Sequence, residues 1–101
     1  VSAVSEGFPE TPLQIRAYPN PFKTGTEIKL AQTKQAPLTL EIYNLRGQKV
    51  YSLFEGILPE GNHSFTWRGR DQAGNALGPG IYFLRAKTPN SLQTNKLILI
   101  R

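Results

Sequence analysis

The 101-residue chain holds one histidine, His63, one aspartate, Asp71, and no cysteine. A serine triad would need both brought to one of the five serines, so that the imidazole can take the hydroxyl proton while the carboxylate holds the ring. His63 alternates in phase with Phe65 and Trp67, which makes it a half-buried or edge histidine. Glu27, Glu41, Glu55 and Glu60 fall in strand-like and turn-like stretches, and no two have a reason to share a pocket. The paired carboxylates of glycoside hydrolysis are therefore not expected. Asp71-Gln72-Ala73-Gly74-Asn75 loosely resembles a calcium loop but lacks its alternating acidic ligands and closing glutamate, so a turn is expected. The absence of cysteine excludes disulfides, thiolate metal sites and cysteine nucleophiles. No glycine-rich loop leads from a strand into a helix, so no phosphate cradle is expected either. Neither catalysis nor a cofactor is the expected business of this chain.

The formal charge is +5, from twelve basic and seven acidic residues. No two basic residues are adjacent, and such scatter fits a solvated surface and not a nucleic-acid footprint. Apolar residues make up 39% and charged residues 19%, an ordinary globular balance. A run such as Leu97-Ile98-Leu99-Ile100 falls far short of the ~20 apolar residues of a membrane-spanning helix. One domain of this length buries roughly two-thirds of its unfolded surface, enough for a modest core and no deep cleft. Residues 1–12 are rich in Ser, Glu, Gly, Pro and Thr, with neither a basic leader nor an apolar segment, and read as a linker from an upstream domain.

The elements that position these residues are short and have period two. Leu13-Gln14-Ile15-Arg16-Ala17 alternates and stops at Tyr18-Pro19-Asn20-Pro21, a rigid break, because proline cannot donate to a ladder. Thr26-Glu27-Ile28-Lys29-Leu30 puts Ile28 and Leu30 inward, and Leu38, Leu40 and Ile42 share one face of the next run. Asn44-Leu45-Arg46-Gly47 is a hairpin turn, with Gly47 free to take positive φ. A returning strand spans residues 48–54, with Val50 its expected core residue. Leu58-Pro59-Glu60-Gly61 reads as a type I turn, followed by a strand carrying Phe65 and Trp67. Gly78-Pro79-Gly80 opens Ile81-Tyr82-Phe83-Leu84-Arg85-Ala86, apolar on both faces as a strand between two layers would be. The last strand, residues 96–101, is apolar on both faces too, with Lys96 and Arg101 flanking it toward solvent. Seven short strands at this spacing predict an all-β, seven-stranded antiparallel immunoglobulin-like β-sandwich centred on Trp67.

Three landmarks then stand in order: Tyr18-Pro19-Asn20-Pro21-Phe22, Gly80-Ile81-Tyr82-Phe83-Leu84-Arg85 and Lys96-Leu97-Ile98-Leu99-Ile100. Between them lie Ile42-Tyr43-Asn44-Leu45-Arg46-Gly47-Gln48 and Trp67-Arg68-Gly69-Arg70-Asp71. Over residues 13–101 this resembles the C-terminal sorting domain of proteins exported by the Bacteroidota type IX (Por) secretion system. It is equally similar to the immunoglobulin-like domain of flagellar hook-capping proteins. Arg68 is a departure, since family members often carry an acidic or neutral residue after the tryptophan.

The resemblance implies a signal domain without chemistry. It would direct an upstream cargo, via the periplasm, through the outer-membrane type IX translocon of a Gram-negative bacterium. Sortase cleavage and release or surface attachment would follow. It further implies that Lys96, Leu97, Ile98, Leu99 and Ile100 form the terminal export motif, with Gly80 and Tyr82 in the internal one. Pro19, Asn20, Pro21, Gly47 and Trp67 would be structural. A terminal apolar strand is readable by strand addition or by a groove, although the same residues are first of all a core strand. The other expectation consistent with the composition is a non-catalytic spacer, adhesin or carbohydrate-binding module of a secreted enzyme.

Overall fold

The alternation Thr26, Ile28, Leu30, Gln32 becomes the buried face of a strand, Thr26–Gln32, because successive side chains of a strand point to opposite sides. In the computed structural model, which describes residues 13–101, this strand is β2; the expected linker over residues 1–12 lies outside the described residues. It is preceded by β1 (Leu13–Tyr18) and followed by β3 (Ala36–Tyr43), β4 (Lys49–Leu58), β5 (Gly61–Trp67), β6 (Gly80–Lys87) and β7 (Leu92–Leu99). All strand pairings are antiparallel. They build a three-stranded sheet in the order β1-β2-β5 and a four-stranded sheet in the order β4-β3-β6-β7. The described residues form a seven-stranded immunoglobulin-like β-sandwich.

The inner faces of the two sheets meet over Ile28, Leu30, Leu38, Leu40, Ile42, Leu84, Ala86, Leu97 and Leu99, all buried. Each such large side chain contributes about 1.5–3 kcal/mol when fully removed from water. Trp67 is 1% exposed and sits edge-on between Phe22 at 5.6 Å and Tyr82 at 5.3 Å. Its indole Nε1 donates to the Arg70 carbonyl at 2.9 Å, and the Tyr82 hydroxyl donates to the Gly78 carbonyl at 2.6 Å. The polar ends of both rings are thereby satisfied, which is what permits them in a core. Two buried polar side chains are likewise bonded: Thr26 donates to the Pro19 carbonyl, and Gln32 to that of Leu58.

The structure departs from the sequence reading in β4. Val50 is half-buried and packs only against the margin of the core, whereas Leu58, expected in a turn, is the fully buried residue of this strand. The cause is two register shifts against β3, which leave Val50 and Leu53 as extra residues on β4. A bulge of this kind breaks the alternation on which sequence phase depends. The outer face of β6 also differs. Tyr82, Leu84 and Ala86 are buried, but Ile81 is 37% exposed, so among the described residues no second layer covers that side. The last strand begins earlier than expected, at Leu92, and ends at Leu99, with Ile100 and Arg101 beyond it.

Candidate recognition surface

The three landmark segments, far apart in sequence, converge at one end of the four-stranded sheet. β6 pairs with β7 so that Gly80 faces Leu99, Ile81 faces Ile98 and Tyr82 faces Leu97. The proline-bracketed segment then lies along the open edge of β7. Its two X-Pro bonds, Tyr18-Pro19 and Asn20-Pro21, are both cis. The Asn20 side chain acts as a surrogate peptide group: Nδ2 donates to the Lys96 carbonyl at 2.8 Å, and Oδ1 accepts from the Ile98 amide at 2.9 Å. The main chain takes over one step later. The Phe22 amide donates to the Ile98 carbonyl at 2.9 Å, and the Phe22 carbonyl accepts from the Ile100 amide at 2.8 Å. This closes a short parallel bridge between Phe22 and Leu99.

The opposite edge of the same sheet, β4, is covered in the same manner. The Gln72 amide donates to the Val50 carbonyl at 3.0 Å, and its side-chain Oε1 accepts from the Ser52 amide at 2.8 Å. Asp71 fixes the loop that delivers Gln72: its Oδ1 accepts from the amides of Ala73 and Asn75. The Asn75 amide does most to hold the Asp71 carboxyl below the usual aspartate range. Unpaired edges invite pairing with other chains, and both are blunted here by an amide side chain together with backbone groups, Asn20 with the main chain of Phe22 and Gln72 with its own amide.

The residues expected to act in recognition divide by depth. Leu97, Leu99 and Tyr82 are buried and out of reach of any partner while the fold is intact. Lys96, Ile98, Ile100 and Gly80 reach the surface. Strand addition along residues 96–100, expected as one mode of recognition, is blocked by Asn20 and Phe22, which already hold the edge groups of Lys96, Ile98 and Ile100. Arg101, expected to point freely to solvent, is instead tied down. Its Nη2 donates to the Leu77 carbonyl at 2.9 Å and approaches that of Gly69 at 3.4 Å. Gly47 takes φ +82° in the β3–β4 hairpin, whose tip is closed by the Asn44 side chain accepting from the amides of Arg46 and Gln48.

Two features of this end escaped the sequence reading. Leu45, at the hairpin tip, is 63% exposed, and with Arg46, Pro79, Gly80 and Ile81 it lines an open recess of about 400 Å³. An apolar residue at the tip of a turn was the signal that could have drawn attention to it. The second is a polar network on the outer face. The Tyr43 hydroxyl donates to Glu41 at 2.6 Å, Lys49 reaches the other carboxylate oxygen at 3.3 Å, and the Arg85 guanidinium lies 4.9 Å from the Tyr43 ring centre. The Tyr43 hydrogen bond is the main reason the Glu41 carboxyl is held below its usual range, and Lys49 and Arg85 add to it against the opposing effect of burial. Among the described residues no group of three or more His, Asp or Glu side chains is placed to hold a metal ion.

Comparison with known proteins places this sandwich among others. Among curated proteins no match to the chain is found. The crystal structure of dimeric latent PorU from Porphyromonas gingivalis has a TM-score of 0.70 and 19% identity, over 87% of this chain and 9% of that one. PorZ, described as an essential bacterial surface component of the type IX secretion system of the same organism, gives 0.62 and 22%, over 86% of this chain and 11% of its own. Both show the shared fold, and the chain spans only about a tenth of either protein. FlgD from P. aeruginosa gives a TM-score of 0.55 and 27% identity, over 73% of this chain and 57% of that one. The family model of the FlgD Ig-like domain matches residues 18–91, and the chain belongs to that family.

Proposed function

We propose that this domain is a non-catalytic sorting signal, which directs a larger cargo in the same chain through the outer-membrane type IX translocon. Cleavage by a sortase and release or attachment at the cell surface of a Gram-negative bacterium would follow. One observation carries the reading. The three segments that resemble the export motifs are joined to one another by ladder pairing and by the Asn20 and Phe22 hydrogen bonds, at a single end of the domain. Segments joined in this way offer one surface to a partner, through Lys96, Ile98, Ile100 and Gly80. The likeness in fold to PorZ supports the same context.

The test places a reporter ahead of the chain in a bacterium that has a type IX system. Reporter outside the cell, lost in a strain without the translocon, is the expected result; reporter held in the periplasm of both strains overturns the reading.

A second reading is favoured by the outer face of the three-stranded sheet. There an open recess of about 550 Å³ is lined by polar side chains including Gln14, Arg16, Lys29, Asn62 and Ser64. A spacer or carbohydrate-binding module could use such a face, and it would leave the reporter in the periplasm.

A further inference from the structure

The four-stranded sheet has an outer face that nothing among the described residues covers, and its composition is uneven. At the end where the motifs converge, Ile81 and Ile98 lie directly opposite each other on β6 and β7. Leu45 borders Ile81 across the recess, and Ile100 follows Ile98, 41% exposed. Tyr43 and Phe83 sit opposite each other one row further in. A run of neighbouring, partly exposed Ile, Leu and Phe is unusual on a water-facing sheet, where one side is normally polar. Charge surrounds it with one predominant sign. Arg46, Lys49, Arg85, Lys87 and Lys96 stand on this face, against Glu41 and Glu55. Glu41 is already engaged by Tyr43 and Lys49.

We propose that this face, centred on Leu45, Ile81, Ile98 and Ile100 and rimmed by Arg46 and Lys96, docks onto an acidic protein surface with apolar residues at its centre. The proposal deepens the export reading and rests on it: the surface belongs to the export apparatus. Three features select this occupant. The rim is cationic, so charge complementarity calls for an acidic partner and disfavours a second copy of the same face. Both edges of the sheet are capped along the stretches facing Asn20, Phe22 and Gln72, so a partner meets side chains there and not a backbone ladder. The apolar residues are branched aliphatics, and among the described residues the face lacks the protruding tryptophans and amphipathic helix that seat a protein in a lipid interface.

The test uses the full chain behind the reporter, with melting followed for every variant. Leu45→Ser with Ile81→Ser is expected to keep the melting temperature and to lower export about tenfold or more, as removal of central interface residues does. Arg16→Ser with Lys29→Ser, on the other sheet, is expected to export normally. Should the first pair melt early, Arg46→Glu with Lys96→Glu decides at two exposed positions, and its export is expected to fall below that of Arg46→Gln with Lys96→Gln. Normal export of the charge-reversed, folded variant overturns the acidic partner. Failure of the unaltered chain to be exported at all overturns the export reading instead, and the docking proposal with it. Co-flotation of the chain with phosphatidylglycerol vesicles, lost in the Leu45→Ser, Ile81→Ser variant, would replace the protein partner by a membrane. A dimer in light scattering that the same variant dissolves would replace it by a second copy.

Discussion

Asn20 and Ile98, 78 residues apart, are joined as if by a strand ladder, the Ile98 amide donating to the Asn20 side-chain oxygen at 2.9 Å. The Asn20 side-chain nitrogen, Nδ2, in turn donates to the Lys96 carbonyl at 2.8 Å. A side chain with both a donor and an acceptor in one plane can copy a peptide group, and asparagine is the shortest that does. The flanking Pro19 and Pro21 have no amide hydrogen to offer, so Asn20 must do this with its side chain. The segment closes the β7 edge and holds Phe22 against Trp67.

Asn20→Ala should therefore cost about 1–2 kcal/mol, for two hydrogen bonds on a water-accessible edge. Urea unfolding with an unchanged slope and a lower midpoint is the expected record. An unchanged midpoint would mean that the edge is held by Phe22 alone.

Gly47 and Gly69 separate backbone strain from crowding. Both have positive φ, +82° and +72°, but a Cβ at Gly47 meets nothing within 4 Å, while one at Gly69 would lie 3.2 Å from a Leu99 methyl. Gly47→Ala should cost about 1 kcal/mol for its conformation alone. Gly69→Ala should cost clearly more, since Leu99 is packed in the core and has little room to give. Equal unfolding midpoints for the two variants would contradict this.

These contrasts indicate what was legible in the sequence. Strands β2 and β3 keep strict alternation, so their inward residues were readable directly. Local turn chemistry was readable as well: Asp71 binds its own loop, and Gly47 takes the positive φ its turn requires. β4 was misphased because the extra residues Val50 and Leu53 sit in bulges, which depend on the partner strand and not on β4 itself. The Tyr18-Pro19-Asn20-Pro21 break was legible as a break, but its hold on β7 is tertiary and leaves no local trace. Arg101 was misplaced for the same reason: its carbonyl partners come from the loop between β5 and β6.

Lys96 and Arg101 should accordingly respond differently to truncation. Lys96 is exposed, and Lys96→Ala should leave stability within about 0.5 kcal/mol. Arg101→Ala removes a charge-assisted bond to the Leu77 carbonyl and should cost about 1 kcal/mol, discounted for its exposure to water. Thermal melts of the two single variants decide it; identical melting temperatures would show that the Arg101 contact contributes nothing.

Acid should destabilise the domain in a defined window. Glu41 and Asp71 both have carboxyls held below their ordinary range, the first chiefly by the Tyr43 hydroxyl and the second chiefly by the Asn75 amide. A carboxylate with a depressed folded pKa binds its proton more readily when unfolded. Its contribution is therefore fully present above the unfolded value, about 4, and is lost as pH falls through the folded one. Melting temperature should be flat from neutrality to about pH 5 and drop below it, and Tyr43→Phe should flatten part of that drop. A Tyr43→Phe profile parallel to the unaltered one would remove Glu41 from the explanation.

Recognition by the translocon is the central claim, and contact is its most direct measure. A photoreactive amino acid placed at Ile100, which is exposed and outside the strands, should cross-link the reporter fusion to an outer-membrane translocon component in exporting cells. The same group at Lys29, on the opposite sheet, should not. Efficient export with no adduct at Ile100, or with equal adducts at both positions, would contradict the account.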